Sequence, residues 1–243
     1  MTRISNITWL NQGGFLFEVG GIRLIVDAYV SNVVEQKDKL TRLVSTPLTL
    51  NELRPDYWLC THDHLDHLDP PTVETAIKEY PQCKFIGPAS VQRHLTQLGL
   101  SDDKFLPLGK GESVKLDDLE LFGLPAIHSD PYAIGVLLHE SDFKIYLSGD
   151  TEFFEDVQMQ AKLPQAVDVV LICINGKYGN MNWREAVEMV KLIKPRLAVP
   201  MHYGLFAENT VSPNDFLKTC RRVGVNSKVL QSGQSYNLEE LLK

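Results

Sequence analysis

The apolar residues of GFLFEVG (14–20) and IRLIVDA (22–28) form two short runs on either side of Gly20-Gly21, the pattern of two strands joined by a two-residue hairpin turn. A third apolar run, DYWLCTH (56–62), ends in polar residues. Asp69-Pro70-Pro71 then reads as an N-cap with proline in the first turn, and opens a helix that runs to about Tyr80. KFIG (84–87) reads as a strand, and a helix over 88–98 is closed by Gly99. Further strands are predicted at 119–127, 133–140 and 143–148, the last running into Gly149-Asp150. AVDVVLICI (166–174) and RLAVPMH (196–202) read as buried strands. Helices are predicted at 152–161 and 183–193, and another begins near Ser212-Pro213; short strands and NLEELL close the chain. Pure βαβ alternation does not fit this order. Two sheets with helices outside do.

A length of 243 residues, with no Gly/Ser/Pro-rich linker and no repeat, fits one domain over 1–243. The 44% hydrophobic content is enough for a substantial core. Against 24 Lys and Arg stand 31 Asp and Glu, a net charge of −7 without any basic run, which argues against nucleic acid as the partner. No apolar stretch of about 18 residues occurs, so no membrane helix is expected. The opening MTRISNITWLNQGG lacks the apolar run of a signal peptide. Cys60, Cys83, Cys173 and Cys220 form no C-x-x-C pair. Reduced thiols in a cytoplasmic protein are the expectation.

The segment THDHLDH (61–67) changes the picture. In extended backbone His62 and His64 point the same way, while Asp66 and His67 fall where the chain curls back before the helix. One segment can thus offer two imidazoles to one ion, and a carboxylate with an imidazole to a neighbour. More ligands must come from elsewhere. His128, Asp150 and His202 each stand at the end of a predicted strand, where a sheet presents side chains to a shared crevice. Asp63 alternates away from His62 and His64, so it is expected to hydrogen-bond nearby groups rather than ligate. His94 and His139 read as ordinary histidines.

The ordered set His62, His64, Asp66, His67, His128, Asp150, His202 resembles the metallo-β-lactamase superfamily. The resemblance implies an αββα four-layer sandwich of two mixed sheets with a two-metal crevice along one edge. It implies that His62, His64 and His128 hold one ion, that Asp66, His67 and His202 hold the second, and that Asp150 bridges them. Asp27 matches a buried aspartate that braces such sites. More narrowly, THDHLDHLD, FIGPAS, YLSGDTEFF and VPMHYGLF resemble the L-ascorbate-6-phosphate lactonases. This implies opening of a lactone on a sugar-acid phosphate with Mn²⁺ or Zn²⁺. The chain is shorter than those lactonases, and only SDPYA separates His128 from IGVLLHE, in a region that would wall the substrate pocket.

A water bridging two divalent ions has its pKa lowered from about 15.7 to roughly 7, which supplies a metal-bound hydroxide. Asp66 or Asp150 would shuttle the proton, with Asp66 favoured. In INGKYGNMNWREA (174–186), Lys177 is a candidate for a substrate phosphate, and Tyr178 or Asn182 for a sugar hydroxyl; a loop ending in a helix cap is the competing reading. Tyr203 either donates to an oxyanion or packs against His202. The resemblance places Trp9, Asn11 and Gln12 in a loop before a strand that often borders the site in that family, with Trp9 expected in the core, and Tyr132 is a further pocket candidate. The leading expectation is a metal-dependent hydrolase of a small molecule, lactonase-like and homo-oligomeric. The alternatives are a phosphodiesterase acting on phospholipid or nucleotide, and a non-catalytic metal sensor. A di-iron flavoprotein fits poorly, since those proteins carry Glu near the second His position and a fused flavin domain.

Overall fold

The computed structural model describes residues 4–141 and 143–243; Met1–Arg3, the start of the segment read for a signal peptide, lie outside them. Two sheets face each other. The first is ordered β13 (Ser235–Asn237), β1 (Ile4–Trp9), β2 (Phe15–Val19), β3 (Ile22–Val26), β4 (Tyr57–Leu59), β5 (Lys84–Gly87), β6 (Phe105–Pro107). The second is ordered β12 (Leu197–Met201), β11 (Val169–Cys173), β10 (Phe143–Leu147), β9 (Ile134–Glu140), β8 (Leu119–Pro125), β7 (Ser113–Leu116). Strands β3 to β6 run parallel, as do β10 to β12, and the remaining pairings are antiparallel. On the outside of the first sheet lie α3 (Pro70–Glu79) and α4 (Ala89–Gln97). Against the second pack α6 (Trp183–Ile193) and α7 (Asn214–Arg222). This is the αββα sandwich of two mixed sheets.

Period-two alternation sorts the first sheet's side chains onto its two faces. Phe15, Phe17, Leu24, Val26, Leu59 and Ile86 point into the core between the sheets. Their neighbours Leu16, Ile25, Trp58 and Phe85 point out, under the helices, with Val73, Ala76, Val91 and Leu95. β11 instead reads VVLIC with every residue buried, because α6 covers one face and the first sheet the other. The β2–β3 hairpin turns at Gly20 and Gly21, both at positive φ (54° and 90°), as a tight primed turn requires.

The predicted elements and the observed ones differ in places. The helix predicted over 152–161 shrinks to one turn, α5 (Val157–Gln160). β1, β6 and β7 are short strands that the sequence pattern did not single out. Asp69 stands at the N-cap of α3, but its carboxylate does not bond the helix backbone. It accepts from the Val30 and Ser31 amides (2.9 and 2.7 Å) and from the Thr72 hydroxyl (2.7 Å), tying the segment before α1 (Val33–Lys37) to the sheet. All four cysteines are buried free thiols, and among the described residues no helix is long and apolar enough to cross a membrane.

The parallel strands β3, β4, β10, β11 and β12 all end at one edge, and the residues that follow them (Asp27, Thr61-His62, Asp150, Asn175, His202) meet there. Crevices outside the carboxyl ends of parallel strands are where such sheets hold ligands. The frame that carries this edge rests on β11. Leu171→Ala, in that fully buried strand, is expected to cost about 2–5 kcal/mol, read from the urea midpoint; a loss below about 1 kcal/mol would show that the central strand is not the support described.

Candidate metal centre

The centre begins with a turn. After β4, the amides of His67 and Leu68 both bond the His64 carbonyl (3.0 and 2.7 Å), and this curls the segment so that His62, His64, Asp66 and His67 face one point. His62 Nε2 lies 3.0 Å from His64 Nδ1, and His128 Nε2 lies 3.1 Å from the same atom. A second group forms beside it. His67 Nε2 is 3.3 Å from His202 Nε2 and 3.8 Å from Asp66 Oδ2, and His202 Nε2 is 3.5 Å from Asp66 Oδ2. Asp150 reaches both groups: Oδ2 is 3.1 Å from His202 Nε2 and 3.9 Å from His128 Nε2, and Oδ1 is 3.4 Å from His67 Nε2. All seven residues singled out in the sequence are therefore in one place.

Their hydrogen-bond partners aim the donor atoms. Asp27 is fully buried, and it accepts from the Thr61 amide (2.7 Å), the Thr61 hydroxyl (2.6 Å) and His67 Nδ1 (2.7 Å). Because the Thr61 hydroxyl gives its proton to Asp27, it accepts from His62 Nδ1 (3.0 Å). His128 Nδ1 donates to the Gly179 carbonyl (3.1 Å). These outer partners assign the Nδ1–H tautomer to His62, His67 and His128 and leave Nε2 facing the centre in each. Asp27, with both oxygens occupied, braces the site rather than ligating. Asp150 Oδ1 is a buried carboxylate oxygen with no hydrogen bond. Converging imidazole lone pairs, two carboxylates, no thiol and an orphaned anionic oxygen suit two divalent cations of borderline or hard character. The two trios and the shared aspartate make a binuclear cluster.

Strain marks the same place. Asn11, Gln12, Asp27 and His202 all have positive φ (73°, 50°, 46° and 63°), a conformation that costs a non-glycine residue about 1 kcal/mol or more and persists only where surroundings dictate it. Gln12 explains two of the four. Its carbonyl accepts from the His202 amide (2.9 Å) and the Trp9 indole (3.1 Å), and its side-chain amide donates to Asp66 Oδ2 (2.8 Å). Asn180 likewise donates to Asp150 Oδ2 (2.8 Å). No local pattern in the sequence marks Asn180 or Thr61 for these roles; only the fold brings them to the carboxylates.

A cavity of about 630 Å³ opens onto the centre, with His64, Asp66, Asp150 and His202 in its floor. Tyr178 lines it, 62% exposed and at φ 54°. The other three predicted substrate contacts stand elsewhere. Lys177 donates to the Glu208 carbonyl (2.7 Å) and borders a neighbouring cleft. Asn182 is the N-cap of α6, accepting from the Arg184 and Glu185 amides in a capping box, as in the helix-cap reading. Tyr203 packs on Trp9 (5.1 Å between centroids), buried away from the cavity. Tyr132 stacks on Arg93 instead of entering the cavity, and Asp63 pairs with His94 Nδ1 (2.5 Å).

The two trios differ electrically. Burial pushes the His62 pKa well down, the charge on His67 adds to this, and burial also lowers His128. Burial presses the same way on His67 and His202, but the carboxylates of Asp150 and Asp66 overcome it: His67 is raised well above its ordinary value and His202 to about 9. Burial acts to raise the two aspartates, yet these imidazoles hold Asp66 and Asp150 below the usual carboxylate range. The carboxylates around His67 and His202 thus favour positive charge at the place where a cation would sit.

Comparison with known proteins agrees with this geometry. A family model described as "Beta-lactamase superfamily domain" matches residues 22–203. The chain is 32% identical over 238 residues to a UPF0173 metal-dependent hydrolase of Caldivirga maquilingensis, covering 96% of this chain and 97% of that one. It is 30% identical over 213 residues to one of Pyrobaculum aerophilum, covering 86% and 89%. Among solved structures it is similar to Igni18, a novel metallo hydrolase from Ignicoccus hospitalis, with a TM-score of 0.77, 25% identity and coverage of 96% and 97%.

Two outcomes follow from the centre itself. Raised pKa values mean that His67 and His202 are protonated in metal-free protein at neutral pH, so a metal ion must displace those protons. Apparent affinity should climb as pH rises from 6.5 towards about 9, where His202 loses its proton, with proton release seen by pH-stat; an affinity flat over that range would refute this. A Cβ on Gly13 would lie 2.7 Å from His67 Cε1. Gly13→Ala should therefore weaken metal binding at the Asp66–His67–His202 trio by about tenfold or more, with metal content measured by plasma emission; unchanged binding of both ions would show that His67 tolerates the shift.

Proposed function

This chain belongs to the beta-lactamase superfamily, and on that premise we propose that it is a metal-dependent hydrolase that opens a lactone or similar small ester. The observation that supports the reading is the convergence of two ligand trios, joined by Asp150, in the floor of an open cavity. His62, His64 and His128 would hold one ion and Asp66, His67 and His202 the other, with Asp150 shared. Two such ions supply a water acidic enough to ionise near neutral pH and a Lewis acid for the substrate oxygen. We read the whole chain as one working domain, since both sheets contribute ligands to one centre.

The chain's own groups divide the remaining work. Gln12 fixes Oδ2 of Asp66, which leaves Oδ1 for a proton in transit to the leaving oxygen. Asp66 is better placed for this than Asp150, its side chain being 16% exposed against 5%. Asn180 and the Asp27 brace hold carboxylate and imidazoles at fixed angles, so little reorganisation accompanies reaction. Tyr178, at the mouth, is the one predicted substrate contact that meets the cavity. The sugar-acid phosphate lactone is the narrower form of this reading, and it draws no support from Lys177, which is held outside. Phosphodiester hydrolysis is the second reading; it would bring an anion to a wall without Lys or Arg. The open face of the site favours catalysis over a closed sensor.

The test is a panel of simple lactones and bis-p-nitrophenyl phosphate, run before chelation, after it, and after return of Mn²⁺ or Zn²⁺. Lactone hydrolysis should vanish and return with the metal, and Asp66→Asn should lower kcat by about a hundredfold or more. Full activity in metal-free protein would end the proposal, and turnover of the phosphodiester alone would hand it to the second reading.

A further inference from the structure

We propose that the substrate is uncharged and carries a short aliphatic group, with Asp38 and Leu40 setting that choice. The inference rests on the hydrolase reading and names the substrate class of the same cavity. Four aspartates line it: Asp38, Asp63, Asp66 and Asp150. Among the described residues no lysine or arginine does. Two divalent ions would offset those four negative charges and leave no positive surplus for an anionic substrate. The cations on the flanking loops lie outside this wall, each turned to a protein carbonyl. Lys39 Nζ donates to the Gln36 carbonyl (2.6 Å) and Lys177 Nζ to the Glu208 carbonyl (2.7 Å). Arg42 donates to the Val44 carbonyl (2.8 Å) and to Asn32 Oδ1 (2.9 Å). A phosphate or carboxylate entering here would lack the charge-assisted donor that such groups need when desolvated.

The same cavity has an apolar side. Val34, Leu40 and Leu65 line it, backed by Tyr29, Val33, Leu205 and Phe206. This wall is built into the fold. Asp69 anchors its start at Val30 and Ser31 (2.9 and 2.7 Å). Glu208 accepts from the Thr41 amide and hydroxyl (2.7 and 2.8 Å), and backbone bonds join Leu43 to Leu205 and Ala207 to Thr41 (2.8 and 2.9 Å). Asp38 ends α1 at its rim, exposed, while Asp63 is paired with His94. An aliphatic substituent set against the wall places its ester carbonyl toward the ligand cluster.

Charge selection also acts on the product. Water adds its oxygen to the carbonyl carbon, the acyl–oxygen bond of the ring breaks, and a proton passes to the departing oxygen. A neutral lactone becomes a hydroxy acid, which releases the water's second proton to solvent and leaves as the carboxylate. The rim carboxylate of Asp38 admits the first and repels the second, which favours release.

The experiment uses the metal-loaded full chain and two substrate series. The first is γ-butyrolactone, γ-valerolactone and γ-hexalactone; kcat/KM should rise about fourfold per added methylene, the transfer gain of a buried CH₂. The second pairs γ-valerolactone with its analogue in which the methyl is a carboxylate; the neutral member should lead by about tenfold or more, the scale of one close uncompensated charge. Asp38→Asn should narrow the second ratio and Leu40→Ser should flatten the first series, each with metal content checked by plasma emission. Binding of the matching lactams by calorimetry gives the same comparison without turnover. Equal or better use of the carboxylated lactone, or a flat chain-length series in the wild-type protein, would overturn the inference. Preferred binding of neutral lactams with no ester turnover would instead overturn the hydrolase reading and leave charge selection standing.

Discussion

A buried carboxylate is costly unless its lone pairs are answered, and Asp27 answers that cost with three hydrogen bonds at the junction of two strands. It follows β3, and it holds Thr61 and His67, which follow β4. Through the Thr61 hydroxyl it also fixes His62. One side chain thus sets the orientation of an imidazole in each metal trio. Both oxygens are needed, so neither a hydroxyl nor a single carbonyl could replace it. The parallel pairing of β3 with β4, in register from Leu24–Tyr57 to Val26–Leu59, brings the brace and the turn together.

Around that brace the fold keeps several unfavourable features side by side. Asn11, Gln12, Asp27 and His202 hold left-handed backbone. Gln12 Oε1, Asn175 Oδ1, Asn180 Oδ1, Asp150 Oδ1 and His202 Nδ1 are buried without hydrogen-bond partners. Elsewhere the sandwich keeps period-two faces, filled layers and a primed hairpin turn, with scattered exceptions such as the unpartnered Trp58 Nε1 and Tyr146 hydroxyl and left-handed Arg54 and Lys194. At the edge where the parallel strands end, such exceptions stand side by side. Such clustering is what a site built for a bound cation produces, since the cation supplies what the polar atoms lack. The same aspartates raise the pKa values of His67 and His202.

On the proposed reading, specificity falls to different residues from those that hold the metals. The ligands sit on strand ends of both sheets, whereas the apolar wall comes from α1 and the segment leading to Thr41, pinned by Asp69 and Glu208. The loop 176–182 puts Tyr178 in the cavity wall and also partners the metal ligands. The Gly179 carbonyl accepts from His128, the Asn180 side-chain amide donates to Asp150, and Asn182 starts α6. The chain left a sugar contact and a helix cap both open for Asn182, and the structure has it capping α6 in a box with Glu185. Lys177 carried no local signal, because its destination at Glu208 lies 31 residues away.

The ligand set was legible from residues alone. Metal chemistry depends on side-chain type and on spacing within one turn, and both are properties of THDHLDH; the strand ends at His128, Asp150 and His202 follow from hydrophobic runs. The two-sheet architecture was legible for the same reason, since periodicity is local. Tertiary structure decided the rest. Which tautomer each histidine adopts, which aspartate is braced and which is shared, what faces the cavity and what is tied back all depend on partners distant in sequence. His67 and His202, for instance, meet across 135 residues. A single chain of letters encodes what each group can bind. Only folding sets the distances that determine whether it does so.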